Sequence, residues 1–435
     1  MHHVTTQAVT SRPTWSKIKI SWQRNHLLRN SAFLAVASII TAALGFGFWA
    51  VVARLFSPHD VGLATSLIST ASLVAYLSLF GLNSSMVRFL PVSGEADALV
   101  TQAVGGVAAV ATVIGTGCVL MFPVAVPSLS FVRDSGPYAI LFVLGAVATA
   151  LNLLTDAVFI ARRRSGFNAL TSGLLQGVVK VALPVFVLGL GAIGIFGAVG
   201  AGAAAALVAS LVLMRQVLGL RVDVTRRRTA ITSQVRYSTG TYLSSVLSLL
   251  PMLVVPLVVL ERLGAAEAGY YYVAFQVATL LLAFATAVGE ALFAEGSHDR
   301  SAFVPLLRRS GRLLALVLVP ASVGVALLSG LILQVFGTSY REAAQPLLIV
   351  FCANAIFIGL STWASFALKI VGDLRALVIA NGLSCVAVIG LSVALSGYGL
   401  VWTGVAWLVG TSLAAGYALW AVRRHARTRI EETAR

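Results

Sequence analysis

Few side chains in this 435-residue chain could do chemistry in an apolar surround, and they stand singly along it. Lys180 is the sharpest. It lies in GLLQGVVKVALPVF, with Gln176 one turn earlier on the same helical face and Pro184 four residues later, where a proline bends a helix. A lysine at that depth is either a cationic contact for an anionic group or a charge neutralised by Asp156. Asp156 has Asn152 one turn before it and Arg162, Arg163 and Arg164 close behind. It reads as an interfacial ion pair or as a carboxylate linked to H+ or Na+. Glu290, in FATAVGEALFAEG, is a second carboxylate open to the same proton-site reading. Arg88 ends GLNSSMVRFLP, where Asn83, Ser84 and Ser85 interrupt an apolar run and either open the helix or line a cavity. An arginine there is a headgroup anchor or a two-pronged phosphate contact. Gln276, Asn354 and Asn381 complete the set, as helix–helix hydrogen-bonding groups or substrate contacts.

What must position these residues is a membrane-spanning bundle. Charged residues make up 11% of the chain and apolar residues 58%, and the mean hydropathy is +0.93. A soluble domain carries roughly 25% charged residues. The stretch 31–53 holds no charge and no proline, and about 23 residues of helix match the roughly 30 Å of a bilayer's hydrocarbon core. Eleven similar runs follow, near 61–83, 101–123, 138–160, 170–191, 193–214, 238–260, 267–294, 312–334, 343–368, 374–396 and 399–422. Strands of a membrane barrel would alternate over about ten residues, and these runs do not. The fold class expected is therefore an all-α polytopic membrane protein of about 12 transmembrane helices.

The net charge of +16 would indicate a nucleic-acid partner in a soluble chain, but here its placement serves topology. With the N-terminus cytoplasmic, 26 Lys and Arg residues fall inside and four outside, namely Arg54, Arg133, Arg262 and Arg341. Both termini are thus expected in the cytoplasm and no nucleic acid is expected as a partner. The residue 1–29 tail is basic and lacks a signal-peptide core; Trp15, Ile18 and Trp22 share a face that suits the headgroup plane. The longest inner link, 215–237, divides the chain into 30–214 and 238–422, with 423–435 as a second tail. The turns ARLFSPHDVG and ERLGAAEAG begin corresponding helices of the two halves, pairing Arg54 with Arg262, Asp60 with Glu267 and Gly62 with Gly269. Six spans per half gives two parallel six-helix repeats around a central cavity, a plan for alternating access.

Absent motifs narrow the chemistry. There is no phosphate-binding GxxxxGK[ST] loop, no CxxC pair and no histidine cluster, and the acids are scattered rather than grouped for metal and phosphate chemistry. No cofactor, no metal and no enzymatic activity are expected.

The segment RNSAFLAVASIITAALGFGFWAVVARLFSPHDVGLATSLISTASLVAYLSLFGLNSSMVRFLP resembles the polysaccharide flippases of the multidrug/oligosaccharidyl-lipid/polysaccharide exporter superfamily. The features shared are Arg-Asn-Ser before the first span, the Ala-Arg-Leu turn, the Gly opening the second span and the Arg-Phe-Leu-Pro at its end. This resemblance implies a V of two six-helix lobes that moves a lipid-linked (undecaprenyl-type) glycan between leaflets of a bacterial inner membrane. It further implies basic residues toward the carrier's pyrophosphate, here Arg88 and Lys180, with Arg54 at the outer end. Asp156 and Glu290 would take H+ or Na+ as coupling ion, and glycan-synthesis membrane proteins would be further partners. The alternatives are a drug/cation antiporter of the same superfamily, a membrane glycan polymerase or ligase, and a non-transporting scaffold.

Overall fold

The computed structural model describes residues 39–220, 239–298 and 303–433, and every regular element among them is helical. The basic tail, the link from residue 221 onward and Arg300 lie outside the described residues. The helix α1 (Ile39–Leu55) is the described part of the first expected span. It is followed by α2 (Pro58–Leu79), α3 (Leu82–Phe89), α4 (Ala96–Ala125), α5 (Gly136–Ala161), α6 (Ser165–Phe186) and α7 (Leu188–Val217). The second half contributes α8 (Thr239–Leu263), α9 (Ala265–His298), α10 (Phe303–Leu327), the short α11 (Ser329–Gln334), α12 (Thr338–Val371), α13 (Leu374–Leu395) and α14 (Leu400–Thr433). Besides α1, eleven helices are long and apolar enough to cross a bilayer. In hydrocarbon each backbone amide must be paired within its own segment, which helices achieve. The chain is a multi-pass helical membrane protein.

Local chemistry sets the turns. Ser57 caps α2: its hydroxyl accepts from the Asp60 amide at 3.1 Å and donates to Asp60 Oδ2 at 2.7 Å, with Pro58 in the first turn. α2 stops where Phe80 and Gly81 take left-handed conformations, φ 42° and 76°. The polar run from Asn83 therefore opens a new short helix, α3, and the second span ends four residues before the expected 83. α6 is irregular throughout. A π-helical turn, Ala169–Leu175, precedes a regular stretch, and Pro184 then tightens the end into a 3-10 turn. The ninth span is the largest departure from the sequence reading, at Phe303–Leu327 rather than 312–334. Arg308, Arg309 and Arg312, expected in a loop, lie within α10, because long basic side chains can reach the headgroups from inside a helix. The chain then breaks at Leu328 and resumes as α11.

Two early pairs of helix starts share one spacing, while later pairs such as Ser165 and Leu374 or Leu188 and Leu400 drift from it. Pro58 and Ala265 begin α2 and α9, and Ala96 and Phe303 begin α4 and α10, each pair 207 positions apart. The halves meet where α2 crosses α9, and no side chain larger than hydrogen fits there. A Cβ on Gly62 would stand 1.7 Å from the Ala265 carbonyl oxygen, and one on Gly269 would stand 2.4 Å from that of Pro58. These two contacts exchange under the same 207-residue shift. Aromatic pairs extend the junction: Phe46 with Phe336 at 5.0 Å between ring centroids and Trp49 with Tyr272 at 4.7 Å. The ends of α1 and α8 lie at one face of the bundle, called here the Arg54 face; α3 lies at the opposite, Arg88 face.

Candidate functional site

In the first half the polar residues gather between α5 and α6. Asn152 and Asp156 are four apart on α5, and Ser172, Gln176 and Lys180 follow at the same interval on α6, so one stripe faces another. The Ser172 hydroxyl donates to Asp156 Oδ1 at 2.7 Å and to Asn152 Oδ1 at 3.3 Å. Asn152 Nδ2 donates to Gln176 Oε1 at 3.2 Å. The π-helical turn holds Ser172, and wider turns of this kind recur where a helix presents functional groups. Glycines let neighbouring helices close over the group. α1 crosses at Gly173 and Gly177, where a Cβ would meet Thr41 at 2.6 Å and Leu44 at 2.7 Å, and Gly202 of α7 sits against Gln176. Lys180 does not pair with Asp156, which corrects one of the two sequence readings. Its ammonium stands 5.7 Å from the Phe48 ring centroid, half-buried, while Asp156 is occupied by Ser172.

The other expected residues are dispersed. Asn83 and Arg88 ride on α3; Asn83 Oδ1 accepts from the Ser84 amide at 2.9 Å, and Arg88 is exposed, 5.6 Å from the Phe89 ring. Glu290 is on the exposed side of α9, near enough to Lys369 of α12 to act on its charge. Gln276 is half-buried in α9. Asn354 accepts from Thr411, and Asn381 Nδ2 donates to Ser244 Oγ at 2.7 Å, so these two join helices, as the sequence allowed.

Sequence reasoning missed a polar cavity in the second half. It encloses about 240 Å³ between α8, α12, α13 and α14, with Lys369 at one end and Trp407 and Thr411 at the other. Ser361, Thr362, Ser365 and Ser384 line it and, among the described residues, bond to no protein group. Thr70 and Ser78 return their hydroxyls to their own helix, at the Ser66 and Val74 carbonyls. Among the described residues, Ser66, Ser210, Ser322 and Ser392 are buried singly with no partner, and only here do several open hydroxyls share one cavity wall. Four hydroxyls left open in a membrane interior are stable only against water or a polar ligand. The recoverable signal was Ser and Lys at intervals of four, Ser361, Ser365 and Lys369, on one helical face.

At the Arg54 face, two polar ties cross between the halves. Arg54 donates from Nε to the Val335 carbonyl and from Nη2 to that of Gln334, both at 2.8 Å, where α11 leaves its last carbonyls open. Glu261, at the end of α8, accepts from the Ser128 amide at 3.0 Å, in a short 3-10 turn that begins at Pro127. Arg54 and Glu261 are 207 positions apart, and so are Ser128 and Val335. The register therefore matches Arg54 to Glu261, not to Arg262 as the sequence pairing had it. The charge inverts because one tie meets carbonyls at a helix end and the other an amide at a turn's start. Among the described residues, no group of three or more His, Cys, Asp or Glu is placed to hold a metal.

The helical fold overlays on solved transporters and flippases, several of them described as of the MOP superfamily. The lipid II flippase MurJ in an inward closed conformation overlays with TM-score 0.76 at 15% identity, over 89% of this chain and 87% of that one. An inward-facing multidrug resistance MATE family transporter gives 0.69 at 14% identity, over 90% and 95%. An outward-facing structure of a MATE family transporter gives 0.60 at 14%, over 93% and 96%. By sequence, the chain belongs to the polysaccharide biosynthesis protein family, which matches residues 27–293. Among curated proteins none matches the sequence.

Proposed function

We propose that this protein is an alternating-access transporter that moves a lipid-linked oligosaccharide or polysaccharide precursor across a bacterial inner membrane. The observation that carries this reading is the pair of repeat-related ties at the Arg54 face, which shut one side while the polar groups of both halves lie deeper in the bundle. The better overlay on an inward-facing than on an outward-facing relative agrees with closure on that side. In this reading twelve spans form two parallel repeats, 30–214 and 238–422, joined by the cytoplasmic link 215–237. Both termini, 1–29 and 423–435, are cytoplasmic, and the Arg54 face is outward. The spacing of 207 shared by two pairs of helix starts, the crossing glycines and the ties supports the repeat. Rocking of 30–214 against 238–422 would open the space between the halves to each side in turn, with no covalent chemistry.

Residue roles follow from position. Arg88, exposed beside Asn83 at the inner mouth, receives the carrier's phosphates. Lys180, with Gln176 beside it, is the cationic contact deeper in, where an anionic headgroup crossing low dielectric needs a fixed positive partner. Arg54 acts on closure rather than on substrate. Asp156, hydrogen-bonded to Ser172, and Glu290, beside Lys369, are the carboxylates through which H+ or Na+ couples to the cycle, and Gln276, half-buried in α9, is a further polar contact for substrate. The deciding experiment is reconstitution into proteoliposomes carrying a fluorescent polyprenyl-diphosphate oligosaccharide, with outer-leaflet glycan read by lectin or enzymatic capture. Transfer between leaflets above the protein-free rate is expected. Equal rates with and without protein, or a change in glycan length instead of location, would sink the proposal.

A further inference from the structure

A second cavity, of about 480 Å³, opens between α10, α12 and α14 and has a different character. Its walls are apolar, with Leu307 from α10, Trp363 from α12 and Val422 from α14. Its charged lining is Arg308, Arg312 and Arg423, with no acid among the residues around it. All three guanidinium groups are exposed, and none has an ion pair or hydrogen bond among the described residues. Arg308 and Arg312 are four apart on α10, so they project from one face one turn apart. The floor is built to stay open beside them. Gly311 admits the Trp363 ring, which a Cβ would meet at 3.3 Å, and Trp363 Nε1 is fixed by donating to Ser310 Oγ at 2.9 Å. No residue of the first half lines this cavity, so it is separate from the space between the halves.

We propose that this cavity is a docking site for an anionic phospholipid of the surrounding bilayer whose headgroup carries two phosphates. An apolar slot at a helix-bundle edge takes a chain, and three unpaired arginines at its mouth match more than one phosphate charge, each offering parallel donors to phosphate oxygens. Basic pockets between spans on the cytoplasmic side bind such headgroups by this chemistry. Bound there, the lipid bridges α10 and α14, both of which pack on α12.

The test uses the full chain in nanodiscs of neutral phosphatidylcholine, with cardiolipin, phosphatidylglycerol, a polyprenyl diphosphate or inorganic pyrophosphate added in turn. Binding is read by native mass spectrometry and by thermal unfolding. Cardiolipin is expected to be retained and to stabilise the protein more than phosphatidylglycerol does. The combined Arg308→Gln, Arg312→Gln and Arg423→Gln variant should lose roughly tenfold or more in cardiolipin affinity. Val304→Trp, which fills the slot and leaves the charges, should lose it too. Equal retention of cardiolipin by wild type and the triple variant would overturn the proposal. So would tighter binding of the polyprenyl diphosphate, which would make this a carrier site, or saturation by pyrophosphate alone, which would make it a plain anion site.

Discussion

Lys180 is the residue on which the proposed substrate contact rests, and its surroundings set the size of the effect expected. Its ammonium has an aromatic face for company and, among the described residues, no carboxylate partner, so its positive charge is open to a ligand. A hydrogen bond from a charged group is worth roughly 1.5–3 kcal/mol, or about ten- to a hundredfold in rate. Lys180→Ala should slow flipping in proteoliposomes by that factor, and Lys180→Arg should restore part of it. Wild-type flipping by Lys180→Ala would remove the residue from the site. Asp373 offers a cleaner test of structure alone, since it stands between spans. Its carboxylate accepts from the Ala376 amide at 2.9 Å, capping α13, and from His425 Nε2 at 2.8 Å. The Ala376 amide, and then His425, hold the carboxyl below its ordinary range. A group with a lowered folded-state pKa stabilises the fold above its unfolded value, about 3.9, and loses that contribution as pH falls through the folded one. Asp373→Ala should cost about 1 kcal/mol at neutral pH, as loss of a cap does, and the gap to wild type should close as thermal unfolding is measured toward pH 3. A gap that persists unchanged at pH 3 would show that the carboxylate charge contributes nothing. Lys180 was legible in the sequence because a lone cation in an apolar run has few meanings. Ser361, Ser365 and Ser384 were not, because a serine in a span ordinarily bonds its own helix and only coordinates show that these do not.

At the scale of elements, the crossing of α2 and α9 is a backbone-to-backbone contact between the halves that the proposed opening would have to part. Backbone touches backbone at Gly62 and Gly269, so one added methyl forces the helices apart with no flexible side chain to yield. Gly62→Ala or Gly269→Ala should therefore open the Arg54 face. In a background without Cys118, Cys352 and Cys385, a cysteine at the fully buried Thr65 should become reactive to an aqueous maleimide in either variant. No change in its labelling would mean that the crossing is not the point of opening. Most helices could be placed from the sequence to within a few residues, because twenty continuous apolar residues leave the backbone no other solution in lipid. Departures came where local chemistry overrode hydropathy. The left-handed pair Phe80–Gly81 cut α2 short, and arginines carried inside α10 moved the ninth span. The π-helical turn of α6 left no mark in the apolar pattern.

For the whole molecule, the proposed cycle makes the Arg54 and Glu261 ties a reversible closure. Each tie joins a charged side chain to backbone groups at an exposed surface, so the two together are worth a few kcal/mol at most. That is the range in which a ligand with different affinity for two states can shift a population from one to the other. Removing one tie with Arg54→Ala or Glu261→Ala should raise the labelling of the Thr65→Cys probe. Because the ties lie on different helices and share no residue, the double variant should show nearly additive effects. The converse experiment decides whether rocking is needed. A short thiol-reactive cross-linker joining Arg54→Cys to Val335→Cys holds the Arg54 face shut while leaving the deeper polar groups untouched. The free double-cysteine protein should flip the lipid-linked glycan at a rate near that of Arg54→Ala, and the cross-linked protein should not flip it. With a cleavable linker, reduction should bring the activity back. Undiminished flipping after full cross-linking would mean that substrate crosses without opening this face, and the two matched halves would then need another reason to meet through glycine and be tied by opposite charges.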